Sequence, residues 1–433
     1  MICHAIRMRA AGKPLGQTTG YVPKAKMTLP SWSSKVAELR HGAGDQNPVM
    51  TRHWTINGRF LAQPTTGVQR YAREIVSALD ALIVGQAPLA RDLTVELLVP
   101  PGTLDTLSLA AIRVRTVGSF GGHAWEQAVL PAYLRGGLLS LCNTGPLAVR
   151  RQVLCIHDVN TRACPQSYSF PFRLLYRTLI PALGRTALKV ATVSQYSAGE
   201  LTRYGVCPAA KAEVVGNGHE HALRWASCHS EQTLAVAGPG TIIVLGSSIP
   251  HKNVGLIIGM HDRLAAAGLR VVVVGASTPR VFGSIGNKTS TNVIWLGRRS
   301  DAEFGALLRD SLCLAFPSLV EGFGLPPLEA MTLGCPVVMS DRASLPEIGG
   351  DAVLYASPCD ENAWFDCFMR LVHEKGLRAK LIARGRARTA RFQWAASAQR
   401  YLELMASVDG FPEVPPLREV ECNPNERRAA AAP

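Results

Sequence analysis

The sequence predicts an α/β fold of two successive domains, each built on a parallel sheet with helices on both faces. The chain has 433 residues, which is too long for one ordinary core and suits two domains of roughly 150 to 200 residues. Short apolar strands alternate with helical stretches, the pattern of right-handed βαβ units. This periodicity lapses between His219 and Gly240, and a second strand-and-helix series starts at Thr241.

The first series contains seven apolar segments with strand character, and a helix near 67–82 follows the first of them. We predict strands near 52–56, 95–99, 112–117, 138–142, 152–156, 188–193 and 212–215. The second series predicts strands near 241–245, 270–274, 293–296, 312–315 and 336–339. The resulting division is a disordered basic extension (1–49), a first domain (50–220), a linker (221–240), a second domain (241–390), a final helix (391–407) and a disordered tail (408–433).

Composition narrows the class of protein. The hydrophobic fraction of 47% and charged fraction of 18% are typical of a globular protein, and no segment approaches the ~20 apolar residues that span a bilayer. Eleven cysteines occur without a CxxC pair, mostly in apolar runs, which indicates buried free thiols and a cytoplasmic location. The net charge of +14 is compatible with nucleic acid, anionic lipid or a diphosphate ligand, and charge alone does not choose among them.

The most informative segment runs from Phe316 to Gly334 and has the order strand, glycine loop, helix. Two prolines are tolerated at the start of a helix, and Gly334 suits the position that ends it. Glycines in the loop let backbone N–H groups approach a ligand, while the helix N-terminus favours an anion. Glu321 precedes the helix and Glu329 lies in its first turns, so two carboxylates can flank one ligand. The alternative from the residues alone is an ordinary Gly-Pro turn with a glutamate on each side.

At these residues the sequence resembles the retaining glycosyltransferases of family 4, whose hallmark is two glutamates separated by seven residues. The resemblance extends over about residues 52–406 and implies the GT-B fold, in which two Rossmann-like domains face each other and a C-terminal helix crosses back to the first. It implies that Glu321 binds hydroxyls of the donor sugar and that Glu329 binds the ribose. The donor sugar and diphosphate would contact the loop residues Gly322, Phe323, Gly324 and Leu325.

A second motif follows the first strand of the second series, where Ser247 and Lys252 precede a helix. In the family this region carries a cation for the diphosphate, and Lys252 matches it. The arginine often found a few residues earlier is absent, with serines at 247 and 248, so the resemblance implies that Lys252, hydroxyls and amides share this task. Without the resemblance, a solvated lysine at a helix start is the favoured explanation of Lys252.

Two motifs of the first half complete the predicted site. His157 and Asp158 follow an apolar strand, at the sheet edge where ligands of open α/β sheets lie. A lone histidine at a strand end is more often structural than functional, but the resemblance implies that His157 contacts the transferring sugar and that Asp158 orients it. Gly67 lies in a turn that enters a helix, and the family places such a loop beside the donor phosphates. Many members have two glycines where this sequence has one.

The resemblance implies a retaining enzyme that moves a hexose from a nucleotide diphosphate sugar to a saccharide or lipid-linked acceptor. The motif variants are most similar to bacterial transferases of mannose or rhamnose in cell-surface polysaccharide assembly. We expect no metal requirement, because no Asp-x-Asp arrangement suggests one, and no nucleic-acid partner. A nucleotide-sugar epimerase or hydrolase of the same fold is the alternative. A nicotinamide enzyme is disfavoured, since no strand precedes a Gly-x-Gly-x-x-Gly motif.

The segment from Phe170 to Lys189 interleaves aromatic and basic residues at helical spacing. Such a helix can rest on an anionic membrane surface, where a lipid-linked acceptor would be found. The alternative is an amphipathic helix that packs on its own domain. With the cysteine pattern, the first interpretation predicts a cytoplasmic enzyme that is peripheral to the inner face of the membrane.

Overall fold

The computed structural model describes residues 51–103, 107–247, 249–275 and 291–411. The predicted basic extension, serine 248 and nearly all of the predicted tail lie outside these residues. The described residues form two parallel sheets. The first contains β1–β7, which are Arg52–Asn57, Leu93–Val99, Arg113–Thr116, Gly137–Ser140, Gln152–Cys155, Lys189–Thr192 and Ala212–Val214. The second contains β8–β13, which are Thr241–Gly246, Arg270–Gly275, Val293–Gly297, Cys313–Phe316, Val337–Ser340 and Leu354–Ala356.

The twelve predicted strands are all present, and β13 is an additional edge strand that the sequence did not reveal. It has only three residues, too few for a periodic signal. The helices α1–α15 within the described residues are Gly67–Val84, Gly122–Ala124, Asn160–Ala163, Phe170–Thr186, Gln195–Arg203, Glu220–Leu223, Glu231–Leu234, Val254–Gly259, His261–Ala266, Asp301–Asp310, Leu325–Thr332, Leu345–Gly349, Glu361–His373, Leu377–Thr389 and Trp394–Val408. Two of these, α6 and α7, lie at or within the predicted linker.

The order of the strands explains where a ligand site can form. The first sheet has the order β3-β2-β1-β4-β5-β6-β7, and the second has β10-β9-β8-β11-β12-β13. In each sheet the chain reverses its direction of winding next to the first strand, between β1 and β4 and between β8 and β11. The loops after such strands diverge to opposite faces and leave a crevice at their carboxyl ends. The predicted site residues follow β1, β5, β8 and β11, so they lie at these edges.

The final helix crosses back to the first sheet, as predicted. Helix α15 packs along α1, and the hydroxyls of Tyr71 and Tyr401 lie 2.9 Å apart. Just beyond the helix, Asp409 accepts hydrogen bonds from Arg52 Nε at 2.5 Å and Trp54 Nε1 at 3.0 Å. Asp409 falls within the segment predicted as a disordered tail, but its carboxylate is nearly fully buried in these contacts.

The cysteines of the described residues are all free thiols. Six are buried, namely Cys155, Cys164, Cys207, Cys313, Cys335 and Cys367, as the apolar runs around them predicted. Burial raises the pKa of the Cys155 thiol to about 12, so this group stays protonated and inert at neutral pH. Within the same residues, no helix is both long enough and apolar enough to cross a membrane.

Candidate active site

A cavity of about 640 Å³ is lined by loops of both sheets. The first half contributes Gly67, His157 and Asp158, which follow β1 and β5. The second half contributes Lys252 from the loop after β8, and Glu321, Gly322, Phe323, Gly324 and Leu325 from the loop after β11. One cavity is therefore lined both by the residues predicted to bind the sugar diphosphate and by His157, which was predicted to lie opposite them.

The two charged groups of the second half form an ion pair. Lys252 Nζ donates a hydrogen bond to Glu321 Oε1 at 2.7 Å, and the ammonium lies 5.7 Å from the centre of the Phe316 ring. Glu321 is 8% exposed. An ammonium has three N–H donors, so Lys252 can keep this bond while it donates to a phosphate oxygen. The pair places a cation and the carboxylate predicted to bind the donor sugar side by side.

The loop after β11 is held in shape by its own domain. The hydroxyl of Ser344 lies within hydrogen-bond distance of the carbonyls of Glu321 (3.0 Å) and Phe323 (2.8 Å). Gly324 has φ of +111°, in the region that favours glycine. The helix α11 begins at Leu325, and its next two residues, Pro326 and Pro327, lack N–H groups. The amides that a ligand can reach here are therefore those of the loop and of Leu325.

Residues of the first half form hydrogen bonds with the same loop. The carbonyl oxygen of Gly322 accepts hydrogen bonds from the hydroxyls of Ser194 (2.6 Å) and Ser197 (3.0 Å). Nearby, the carboxylate of Glu347 accepts from the backbone N–H groups of Gln195 (2.9 Å) and Tyr196 (3.2 Å), at the N-terminus of α5. A carboxylate is favourable there because of the helix dipole. These contacts hold the two halves in a closed arrangement around the cavity.

His157 is a buried, neutral ring in the cavity wall. Its Nε2 lies 2.8 Å from the carbonyl oxygen of Leu141, so Nε2 carries the proton and Nδ1 is the acceptor. Burial lowers the pKa of His157 to about 4. Its ring also packs edge-on against Tyr71, with centroids 4.8 Å apart. At neutral pH the ring is therefore a hydrogen-bonding group and carries no charge.

Asp158 is held by a short turn and not by the histidine ring. Its Oδ1 accepts from the backbone N–H of Asn160 at 2.9 Å. Burial raises the pKa of Asp158, the Asn160 N–H partly offsets this, and the nearby Glu321 carboxylate raises it further. Two carboxylates thus approach one another across the crevice, with Lys252 beside them.

Two predicted site residues lie outside the lining of the main cavity. Ser247 lines an adjoining pocket of about 80 Å³ together with Lys252, and its hydroxyl accepts from the Ile249 N–H at 3.2 Å. Glu329 is 6% exposed, and its Oε1 lies 2.9 Å from His221 Nε2. Ser247 thus lies beside the predicted Lys252, whereas Glu329 contacts His221, which was not predicted, and neither residue lines the main cavity.

Several residues of the cavity were not predicted from the sequence. Asn217 is 5% exposed, and its Oδ1 has no hydrogen-bond partner within the described residues. Tyr168 and Tyr176 also line the cavity, and His251 Nδ1 lies 3.0 Å from the Ser167 hydroxyl across the two halves. The Asn-Gly turn after β7 is the local signal for Asn217, because this turn lies at the same carboxyl edge of the sheet as His157.

Sequence comparisons relate part of the chain to known proteins. Residues 229–388 match the family model described as glycosyl transferases group 1. The chain is 29% identical over 261 residues to O-antigen chain mannosyltransferase B of Escherichia coli, an alignment that covers 58% of this chain and 68% of that protein. It is 25% identical over 226 residues to O-antigen chain mannosyltransferase RfbU of Salmonella typhimurium, with 51% and 61% covered.

Solved structures with the same fold cover most of the chain. Sucrose-phosphate synthase of Thermosynechococcus elongatus has a TM-score of 0.62 and 18% identity, over 83% of this chain and 99% of that one. HepE of Anabaena, solved with UDP and glucose, has a TM-score of 0.58 and 19% identity, over 82% and 100%. These similarities establish the two-domain architecture. Residues 229–388 are therefore similar to the glycosyl transferases group 1, and the described residues have the GT-B fold of the solved glycosyltransferases.

Proposed function

We propose that the chain is a retaining hexosyltransferase of cell-surface polysaccharide synthesis that uses a nucleotide diphosphate mannose or rhamnose. The observation that carries the proposal is the shared cavity of Lys252, Glu321 and His157. The two O-antigen mannosyltransferases above support the sugar class. They favour a transferase over the alternative epimerase or hydrolase.

In the proposed donor complex, the diphosphate lies between Lys252 and the amides of the 322–325 loop. The N-terminus of α11 adds partial positive charge at the same place. The Glu321 carboxylate, already beside Lys252, accepts hydrogen bonds from hydroxyls of the sugar. Glu329, four residues beyond the loop, accepts from the ribose. Each of these protein groups thus accepts or donates a hydrogen bond at a position where the donor carries the matching hydroxyl or phosphate oxygen.

The chemistry that this arrangement favours is departure of the nucleoside diphosphate. Negative charge develops on the leaving oxygen, and preorganised donors in a closed site stabilise that charge without reorganisation. Lys252 and the loop amides are such donors, so we propose that turnover needs no metal. Retention of configuration then follows from a short-lived ion pair in which the departing phosphate takes the proton of the acceptor hydroxyl on the same face. The neutral His157 accepts a hydrogen bond at Nδ1 from a hydroxyl of the sugar.

The acceptor in this proposal enters from the first half, past Tyr168 and Tyr176. The adjoining helix α4 exposes apolar side chains beside basic ones: Phe170 is 67% and Leu174 is 56% exposed, and Arg173 and Arg177 lie between and beyond them. Apolar groups with flanking cations favour an anionic membrane surface. We propose that this face brings the cavity to a lipid-linked acceptor at the cytoplasmic side of the membrane.

The donor and reaction are tested by thermal shift and turnover. A panel of nucleoside diphosphate sugars that includes mannosyl and rhamnosyl donors is screened for stabilisation, and product is then measured with and without saccharide acceptors. Retention is read from the anomeric proton coupling of donor and product by NMR. Free sugar or an epimer formed without acceptor would support the alternative enzyme class. Full turnover after exhaustive treatment with EDTA is expected, and a return of activity only on adding Mg²⁺ would contradict metal independence.

The membrane contact is tested by flotation with vesicles. Wild-type protein should bind phosphatidylglycerol-containing vesicles, and a Phe170→Glu, Leu174→Glu variant should bind them much less. Val84→Glu is the matched control, because Val84 is 57% exposed but lies at the end of α1. Equal binding by the double variant and the control would count against α4 as the contact.

A further inference from the structure

Three side chains from distant parts of the chain form a linear set of hydrogen bonds that ends at Glu329. Trp394 Nε1 lies 3.1 Å from His221 Nδ1, and His221 Nε2 lies 2.9 Å from Glu329 Oε1. Trp394 is 3% exposed, His221 is 1% and Glu329 is 6%. This set, Trp394–His221–Glu329, connects the first residue of α15 to α11, the helix that follows the proposed donor loop (residues 322–325).

The direction of both hydrogen bonds is determined by chemistry. The indole nitrogen of Trp394 can only donate, so His221 Nδ1 is the acceptor. The proton of the neutral imidazole is then on Nε2, which donates to the carboxylate. Trp394 thereby selects the tautomer that makes His221 a donor to Glu329, and a hydrogen bond to an ionised carboxylate is among the stronger kinds.

The surroundings keep this set rigid. The His221 ring packs edge-on against Trp225, with centroids 5.6 Å apart. Arg70 Nε lies 3.9 Å from Glu329 Oε1, while Arg70 Nη2 donates to both oxygens of Asp301 at 2.8 Å. Within the described residues, the contacts of the Glu329 carboxylate are therefore made at Oε1, which leaves Oε2 to accept from a ligand.

We propose that Trp394 and His221 are positioning residues that orient the Glu329 carboxylate for the nucleoside hydroxyls of the donor. The inference rests on the proposed ribose-binding role of Glu329 and adds the device that fixes its geometry. Trp394 also packs on Tyr71 of α1, with ring centroids 5.7 Å apart. The residue that packs the crossing helix against the first domain therefore also determines the orientation of Glu329 in the donor site.

The test deletes one N–H group and keeps the ring. In Trp394→Phe, His221 can adopt the other tautomer, and we expect the donor KM to rise about five- to tenfold while kcat stays close to wild type. Trp364→Phe is the matched control, since Trp364 is also buried and its Nε1 donates to the Ser357 carbonyl at 2.9 Å. The control should lose comparable thermal stability with no change in KM.

Competitive inhibition separates orientation from a general loss of structure. In Trp394→Phe the Ki of the nucleoside diphosphate should rise with the donor KM, whereas the Ki of inorganic diphosphate should not change. Equal weakening of both inhibitors, an unchanged donor KM, or an equal effect in Trp364→Phe would overturn the proposal.

A third variant distinguishes failure of this proposal from failure of the proposed function. Glu329→Ala should raise the donor KM, and adding Trp394→Phe to it should cause no further rise, because the carboxylate to be oriented is gone. If Glu329→Ala leaves the donor KM unchanged, the ribose role itself is wrong. If only Glu329→Ala raises it, the role stands and the positioning by Trp394 and His221 is refuted.

Discussion

A methyl group at Gly322 should disable the enzyme without unfolding it. A Cβ built at this position would lie 2.6 Å from the carbonyl oxygen of His157 and 3.2 Å from Asp158 Cβ. The first distance is shorter than any normal contact between such atoms. Both neighbours belong to the other half of the molecule and the first is backbone, so the donor loop and the first half must separate to accept the methyl group.

The size of the effect follows from the contacts that separation weakens. The Gly322 carbonyl accepts from Ser194 at 2.6 Å and from Ser197 at 3.0 Å. Each hydrogen bond contributes about 1 kcal/mol net, and the residual clash adds to this loss. A closed arrangement destabilised by roughly 2 to 3 kcal/mol corresponds to a fall of about 30- to 150-fold in kcat/KM.

The assay is initial-rate kinetics on Gly322→Ala, with circular dichroism and thermal unfolding to verify the fold. Gly255→Ala in α8 is the control, because a Cβ there meets no atom within 4 Å; its activity should equal that of wild type. If Gly322→Ala has nearly full activity, the close approach of the donor loop to His157 is not a feature of the reacting enzyme, and the reasoning from this contact is refuted.

Lys252→Ala should lower kcat by about 10²- to 10³-fold, the usual cost of removing one donor to developing charge, in a protein that stays folded; near-normal turnover would exclude the diphosphate role. Glu347→Ala removes the carboxylate that holds two N–H groups of α5 and should lower kcat/KM about tenfold, and an unchanged value would show that this contact does not support closure. His157 has a pKa of about 4 in the folded chain against about 6.5 when unfolded, so the unfolded state takes up a proton first as the pH falls between these values. The free energy of unfolding therefore falls between pH 6.5 and 4 by on the order of 3 kcal/mol. In His157→Gln, thermal unfolding measured over this pH range should lack that part of the acid sensitivity. An identical pH dependence in wild type and variant would contradict the buried neutral ring.

Prediction of the fold from sequence was successful where the signal is local. The apolar runs of β8 and β11 and the glycine loop before α11 are contiguous, so their strand and helix periods are visible in the sequence. The three-residue strand β13 carries no such period. The helix α15 was predicted as a terminal element, but the burial of the Asp409 carboxylate just beyond it depends on Arg52 and Trp54, which lie more than three hundred residues earlier.

For the candidate site, the sequence by itself placed Lys252, Glu321 and His157 at the carboxyl ends of parallel strands, because strand direction and loop position follow from local order. It did not determine which polar groups would meet. Tertiary structure alone decided that Gly322 touches His157, that Ser194 holds the loop, that Asn217 faces the cavity, and that Trp394 selects the tautomer of the histidine beside Glu329. The physical reason is that these contacts join segments more than a hundred residues apart or, for Asn217, depend on which face of a turn the second half covers. Which of these residues come into contact depends on how the two sheets dock, and no periodicity along the chain encodes that docking.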